Sequence, residues 1–186
     1  APVAAAPAAP GSITDTHTYA NPGVYVVTVG VKDKISGYVT QSFEYVVIYD
    51  PNGGFVTGGG WIMSPSGSYV PQPALAGKAT FGFVAKYKKG QQAPDGNTEF
   101  QFHAAGLNFK SSSYEWLVVA GSKAQYKGAG TLNGQPGYRF MLTAIDGSKG
   151  AADRFRMKNT DAAGLLVYDN QIGLAENGDP ATVLSG

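Results

Sequence analysis

Cysteine is absent from the 186-residue chain, and histidine occurs only twice, at His17 and His103. The protein therefore has no disulfide, no thiolate nucleophile and no cysteine-ligated zinc. Two histidines are too few for a histidine-rich metal centre, so we interpret His17 as part of a strand entry and His103 as exposed. The lack of cysteine does not exclude secretion, because a large domain folds without disulfides.

Charge and long apolar runs are also scarce. Charged residues make up 15% of the chain, against roughly 25% in ordinary soluble domains. The 14 basic and 13 acidic residues leave a net charge of +1, so no strong field would attract nucleic acid. The chain contains no stretch of about 18 apolar residues, the length that a membrane-spanning helix requires. The opening APVAAAPAAP has neither a starting Met nor signal-peptide regions, which is typical of a mature or excised segment.

What the chain does contain is a series of short segments in which apolar residues recur at every second position. Residues 23–32 and 38–49 are the first two of these segments, and several more follow after residue 55. A period of two predicts half-buried β-strands, and no window has the 3.6-residue period of a helix. The 26 Gly and 11 Pro supply tight turns. The pattern predicts an all-β protein with a sandwich or closed-sheet architecture.

Composition divides the chain into three parts. Residues 1–12 are almost entirely Ala and Pro, which favours an extended, semi-rigid arm or linker. Residues 13–50 carry the first two predicted strands. The chain-breaking residues at 50–54 then indicate a junction, and residues 55–186 form the larger part.

The segment 13–50 resembles the C-terminal half of a polycystic-kidney-disease (PKD) domain, an immunoglobulin-like β-sandwich of secreted bacterial proteins. The motif residues are His17-Thr18-Tyr19, Pro22-Gly23, Tyr25, Val27, Val29 and Val31. The resemblance implies that the Tyr and Val side chains belong to a sandwich core. The first half of that domain is missing, and two strands alone do not cover an apolar face in water.

Residues 55–186 resemble the post-COAP family, an extracellular bacterial β-module often found after PKD domains. The matching segments are Gly58-Gly59-Gly60-Trp61-Ile62, residues 77–83, 98–102, 114–119 and 126–134, Asp153-Arg154-Phe155-Arg156, and Val167-Tyr168-Asp169-Asn170. The two resemblances together predict a partial immunoglobulin-like unit followed by a larger antiparallel β-sandwich of jelly-roll type. The chain ends before the apolar closing strand that the family leads us to expect, which would leave a sheet edge unpaired.

No motif in the sequence predicts an enzyme. It contains no nucleophile elbow, phosphate-binding loop or zinc-helix motif, and no two acidic residues are placed as a glycosidase pair. Oxygen-bearing side chains near the C-terminus are the candidates for calcium, which prefers six to eight oxygen ligands. The candidate ligands are Asp146, Asp153, Asp169, Asn170 and Asp179, with Glu176 and Asn177 nearby. The same residues are ordinary turn formers, so the sequence alone leaves both interpretations open.

Aromatic residues suggest an alternative site, because exposed rings stack on sugars. The candidates for glycan stacking are Trp61, Tyr69, Tyr87 and Tyr126. The competing interpretation is that Trp61 and Trp116 are core residues of the β-fold.

The sequence therefore predicts a non-catalytic structural or adhesive module, secreted or displayed on a bacterial cell surface. Its expected partners are copies of itself or neighbouring domains, joined through unpaired strand edges into a filament or other assembly. The Ala/Pro arm or the strand at 38–49 is the expected donor. The alternative is a carbohydrate-binding module attached to a polysaccharide-degrading enzyme. No nucleic acid, membrane span or cofactor is expected, apart from calcium.

Overall fold

The computed structural model describes residues 14–32, 37–48, 50, 52, 54–148 and 150–185, and at 43–45 the backbone alone. It confirms the all-β prediction, with ten strands and one turn of 3-10 helix at His103–Ala105 in these ranges. The described residues include no helix with the length and apolar character needed to cross a bilayer. The predicted Ala/Pro arm at 1–12 lies outside the described residues.

The first part contains a two-stranded antiparallel sheet. Strands β1 (Gly23–Lys32) and β2 (Tyr38–Ile48) pair from Gly23 opposite Ile48 to Lys32 opposite Tyr38. Both strands lie where the alternation predicts them. Several apolar side chains of this hairpin remain exposed, namely Val26, Val29, Val31, Tyr38 and Val39.

The second part is one eight-stranded antiparallel sheet. Its strands are β3 (Phe55–Ser64), β4 (Gly77–Tyr87), β5 (Pro94–Phe102), β6 (Leu107–Ala120), β7 (Lys123–Leu132), β8 (Gln135–Ile145), β9 (Arg154–Thr160) and β10 (Leu166–Asp169). Each strand pairs with the next in the chain, so the order is a simple meander. This order refines the predicted sandwich, because a jelly roll would require crossovers between the strands. Asn133-Gly134, a dipeptide that favours tight hairpins, joins β7 to β8, with φ of 50° and 80° as a type I′ turn requires.

The eight-stranded sheet curls until its two ends approach each other. The segment after β3 pairs with β10, where the Val70 N–H donates to the Val167 carbonyl at 3.0 Å and the Asp169 N–H donates to the Ser68 carbonyl at 2.9 Å. Residues 182–185 lie along the start of β9, and the Leu184 N–H donates to the Asp153 carbonyl at 2.9 Å. The curl is therefore closed at one end by chain segments outside the strands.

Aromatic side chains fill the interior of the curl. Its fully buried rings are Phe100, Phe102, Phe109, Phe140, Phe155, Tyr126 and Tyr168. The Thr98 hydroxyl lies 2.9 Å from both the Tyr114 and the Tyr126 hydroxyl, so the polar ends of two rings share one partner. Such dense packing leaves the rims and edges of the sheet as the places where a ligand or partner could bind.

Candidate functional site

The five predicted calcium ligands do not converge on one point. Asp169 is buried and forms a bidentate ion pair with Arg156, at 3.0 Å to Nε and 2.7 Å to Nη2. Asn170 accepts the Met157 N–H at 2.7 Å and donates to the Phe155 carbonyl at 3.0 Å. These two side chains hold β10 and the following residues against β9, so their oxygens already have protein partners.

The other candidate ligands lie in separate places. Asp146 and Asp153 flank the β8–β9 loop, where Asp153 accepts the Gly147 N–H at 2.8 Å. Asp179 forms an ion pair with Lys123 at 2.8 Å. Among the described residues, no three His, Cys, Asp or Glu side chains form a group that could hold a metal ion.

The prediction that Tyr126 stacks on a sugar is wrong. Its side chain has no exposed surface, because β7 directs it into the curl, and its hydroxyl bonds to Thr98. Burial raises the pKa of the Tyr126 phenol well above its ordinary value. A ring enclosed in this way offers no face to a ligand from solvent.

The remaining predicted rings are partly buried and lie apart from one another. Tyr69 packs edge-on against Phe102 with centroids 6.5 Å apart, and the Tyr87 hydroxyl accepts the Leu117 N–H at 3.1 Å. One side of the Trp61 ring is covered by Lys78, whose Nζ lies 4.7 Å from the ring centroid. Of these three residues, only Trp61 belongs to β3, the strand at the edge of the eight-stranded sheet.

A surface groove that the sequence did not indicate surrounds Trp116 on the outer face of the curl. It encloses about 550 Å³, and its walls include Val47 of β2 and the side chains of Lys127 and Arg139. Arg139 forms an ion pair with Glu115 at 2.8 Å. Trp116 is half-buried, so its interpretation as a core residue is only partly correct.

The lower part of β3 forms an open sheet edge. Above it, the Ser185 N–H donates to the Trp61 carbonyl at 2.9 Å. The N–H and C=O of one residue point to the same side of a strand, and this direction alternates along the strand. The backbone groups of Phe55, Thr57 and Gly59 therefore point away from β4, as those of Trp61 do. No hydrogen bond within the described residues reaches the outward backbone groups of these three. Residues 55–60 therefore present the unpaired template that an added strand requires.

A slot with mixed polar and apolar walls lies beside this edge. It encloses about 340 Å³ between β3 and the ends of β8 and β9. Its apolar walls are formed by Val56, Phe81, Phe83, Ala144, Phe155 and Leu184. We call the outward backbone of residues 55–60 together with this slot the β3 edge site. An edge without a hydrophobic flank would offer hydrogen bonds alone, whereas this one also offers pockets for alternate side chains.

The absence of a side chain at Gly58 leaves room for the Phe83 ring. A Cβ at Gly58 would lie 2.7 Å from Cζ of Phe83, because the Phe83 ring leans across the strand pair toward the edge. Gly58 is paired with Phe83, and Gly60 is paired with Phe81. Aromatic rings that cover glycines of a neighbouring edge strand in this way stabilise the strand pairing. The glycines thus bring aromatic rings to the wall of the slot.

Charged side chains lie at the rim of the β3 edge site. Asp146, Asp153 and Arg154 are at its rim, and Arg154 donates to the Pro180 carbonyl at 3.3 Å. The edge itself, Phe-Val-Thr-Gly-Gly-Gly, carries no charge to repel a neighbouring strand. Comparisons of this chain with protein-family models, with curated proteins and with solved structures find no match.

Proposed function

We propose that the chain is a non-catalytic structural or adhesive module that joins its neighbours by β-strand addition. The observation that carries this proposal is the unpaired edge at 55–60, which lies beside a slot that has aromatic rings in its wall. Added strands gain main-chain hydrogen bonds from such an edge and bury alternate side chains in the slot. Natural proteins usually protect long, flat, uncharged edges, so an unprotected one favours a role in assembly.

The hairpin of β1 and β2 supports the same function. Val39 is 72% exposed and Tyr38 is 67% exposed, and an isolated two-stranded sheet is at best marginally stable in water. Residues 13–50 resemble only half of a PKD domain, which would explain why apolar side chains of the hairpin are left exposed. A neighbouring domain or copy would cover the exposed face. The same resemblance, together with that of residues 55–186 to post-COAP modules, supports a location outside a bacterial cell.

Sedimentation velocity of the full chain over a wide concentration range tests the proposal. We expect larger species to grow with concentration. We also expect the Thr57 and Gly59 amides to become protected from hydrogen exchange as those species form. A chain that stays monomeric at every concentration, while both amides exchange freely, would contradict strand addition.

The groove at Trp116 supports carbohydrate binding as a second candidate function. A half-buried indole beside Lys127 and Arg139 offers a stacking surface with hydrogen-bond donors around it, which suits a sugar. A glycan array with the unmodified chain and Trp116→Ala tests this candidate. Binding that Trp116→Ala abolishes without changing the melting temperature would support it. Failure of the unmodified chain to bind any glycan would count against it.

A further inference from the structure

We propose that the groove at Trp116 binds a sugar that carries a carboxylate, namely a hexuronic acid unit of an acidic polysaccharide. This inference rests on the second candidate function and names its ligand class. The pyranose ring would stack on the indole, and its carboxylate would bind Lys127 and Arg139. Three features of the groove point to this ligand.

The first feature is a row of side chains that crosses four strands on the outer face of the curl. The row consists of one paired residue from each of β6, β7, β8 and β9, in the order Trp116, Lys127, Met141 and Lys158. Directly opposite residues in an antiparallel pair place their side chains on the same face, with Cβ atoms about 4.5–5.5 Å apart. The indole therefore lies next to an ammonium group, and the buried Met141 side chain forms an apolar floor between two lysines.

A pyranose ring matches this order of side chains. Its C–H groups form an apolar face that suits the indole of Trp116, and its polar groups project from the edge of the ring. A ring on Trp116 would bring a carboxylate within reach of Lys127, whose ammonium is carried on a flexible four-carbon stem. The groove lies on the outer face of a sheet, so further sugar units of a polymer can extend beyond it.

The second feature is the charge balance of the groove. Three cationic side chains line it, namely Lys127, Arg139 and Lys158. Two carboxylates pair with them, Glu115 with the first two and Glu176 with the third. One positive charge is therefore left without a partner, in a chain whose net charge is only +1. This balance favours a ligand with one negative charge per unit over a neutral sugar or a dense polyanion.

The third feature is that Lys127 and Arg139 keep hydrogen-bond donors available. Arg139 Nη1 donates to Glu115 at 2.8 Å, whereas Lys127 Nζ lies 3.7 Å from the other carboxylate oxygen, beyond hydrogen-bond distance. No hydrogen bond within the described residues reaches Lys127 Nζ or the Nε and Nη2 of Arg139. Charge-assisted hydrogen bonds to a carboxylate are roughly twice as strong as neutral ones, so these donors favour an acidic sugar.

A matched set of ligands tests the charge preference with the full chain. The probes are trimers of galacturonic, glucuronic and mannuronic acid, each compared with its own methyl ester, which keeps the rings and removes the charge. In a Trp61→Phe background, Trp116 is the one remaining tryptophan, so its fluorescence reports binding. We expect at least one acid to bind about tenfold more tightly than its ester. Equal binding of every acid and its ester would overturn the inference and leave carbohydrate binding itself intact.

A pair of lysine variants tests the position of the carboxylate. Lys127→Gln removes the ammonium beside the indole. The matched control Lys110→Gln removes the same charge from an exposed lysine of β6 that does not line the groove. We expect Lys127→Gln to reduce the preference for the acid to within about twofold, and Lys110→Gln to retain it. Equal losses in two variants with unchanged melting temperatures would overturn the assignment to Lys127.

Glu115→Gln should act in the opposite direction. It removes the carboxylate that Lys127 and Arg139 share, so both cations become available to the ligand. Exposed ion pairs contribute little to stability, so we expect the fold to be kept and the acid to bind about threefold more tightly. Affinity for the ester should stay the same. Weaker binding of the acid by Glu115→Gln would contradict the charge argument.

Two further probes separate a sugar acid from other anions. A peptide of alternating Gly and Glu carries carboxylates without a pyranose ring, and a sulfated galactose trimer carries a different anionic group. We expect both to bind more weakly than the best acid trimer, and equal or tighter binding of either would overturn the ligand class. Failure of all acid trimers, although a neutral glycan binds, would also overturn it. Failure of every glycan would instead remove the second candidate function.

Discussion

Phe81 and Phe155 stack face to face, with ring centroids 3.8 Å apart and an interplanar angle of 7°. Phe81 belongs to β4 and Phe155 to β9, and each of these strands is second from an opposite end of the sheet. The stack therefore joins the two ends of the curl where backbone hydrogen bonds between β3 and β9 are lacking. Aromatic contact, together with the segments at 68–70 and 182–185, holds the sheet in its curled form.

Replacing Phe155 with Ala should therefore destabilise the larger sheet strongly. Phe155 is 1% exposed, and truncating a buried Phe to Ala costs about 3–5 kcal/mol of unfolding free energy. Urea unfolding followed by tryptophan fluorescence measures the change. Val84→Ala on the outer face of β4 is the control and should cost under about 1 kcal/mol. Similar losses from both variants would mean that the stack does not hold the curl.

The buried ion pair predicts a large effect from one isosteric substitution. Asp169→Asn leaves the Arg156 guanidinium, which is 1% exposed, without its counter-charge. Breaking such a pair from one side costs about 3–5 kcal/mol. The exposed pair of Lys110 and Glu99 provides the control, since Glu99→Gln should cost under about 1 kcal/mol. Chemical denaturation measures the loss of unfolding free energy in both variants. Equal losses would disprove that Asp169 is the essential counter-charge of Arg156.

Alkaline pH should destabilise the fold through two buried tyrosines. Burial raises the pKa of both Tyr126 and Tyr168, and the Tyr168 hydroxyl lies 2.8 Å from the Ser64 hydroxyl. Above pH about 10 the unfolded chain loses these protons and the folded chain keeps them, so stability is present below that pH and is lost as pH rises. Each tyrosine contributes a slope of about 1.4 kcal/mol per pH unit.

Denaturation midpoints measured at several pH values between about 9 and about 11.5 give this slope. Burial also raises the pKa of Tyr114, so Tyr168→Phe removes one of three contributing groups and should reduce the decline by about a third to a half. An unchanged decline in Tyr168→Phe would show that other groups control alkaline unfolding.

Asn159 is a site where the fold can be made more stable. Its side chain is fully buried in β9, and within the described part of the chain neither its amide nitrogen nor its oxygen has a hydrogen-bond partner. Leaving such groups unpaired costs about 1–3 kcal/mol, so Asn159→Leu should raise the free energy of unfolding by about 1 kcal/mol. Gln101→Leu on an exposed position of β5 should change it by less than about 0.5 kcal/mol. A lower melting temperature for Asn159→Leu would indicate that a bound water satisfies the amide.

The alternation of apolar residues was sufficient to predict most strands but not every boundary. β4 and β5 lie where their alternating Phe residues place them. In β6, by contrast, the alternation predicts two separate short segments, one at residues 107–109 and one at residues 114–120. It is one strand with register shifts between Ser111 and Ser113 and between Tyr114 and Trp116. Each bulge adds a residue and reverses the alternation, so the sequence pattern breaks although the strand continues.

The closure of the curl could not be predicted from the sequence, whereas the burial of Tyr126 could. In β7 the apolar residues Ala124, Tyr126 and Leu132 alternate with the polar residues Lys123, Gln125 and Lys127, so a period of two places Tyr126 on the inner face. The pairing of Ser68 with Asp169 and of Ser185 with Trp61 depends on contacts between distant segments without strand patterns of their own. The run at 58–60 resembles a post-COAP segment, but its position at a sheet edge depends on which strand has no outer neighbour.

The path of residues 182–185 has a practical consequence for handling the protein. This segment bridges β9 and β3, because Leu184 bonds to Asp153 and Ser185 bonds to Trp61. An affinity tag fused next to Ser185 would start beside the β3 edge site and would interfere with a measurement of self-association. Tags for measuring oligomer size are better carried by an exposed turn such as Asn133-Gly134, at the opposite end of the strands.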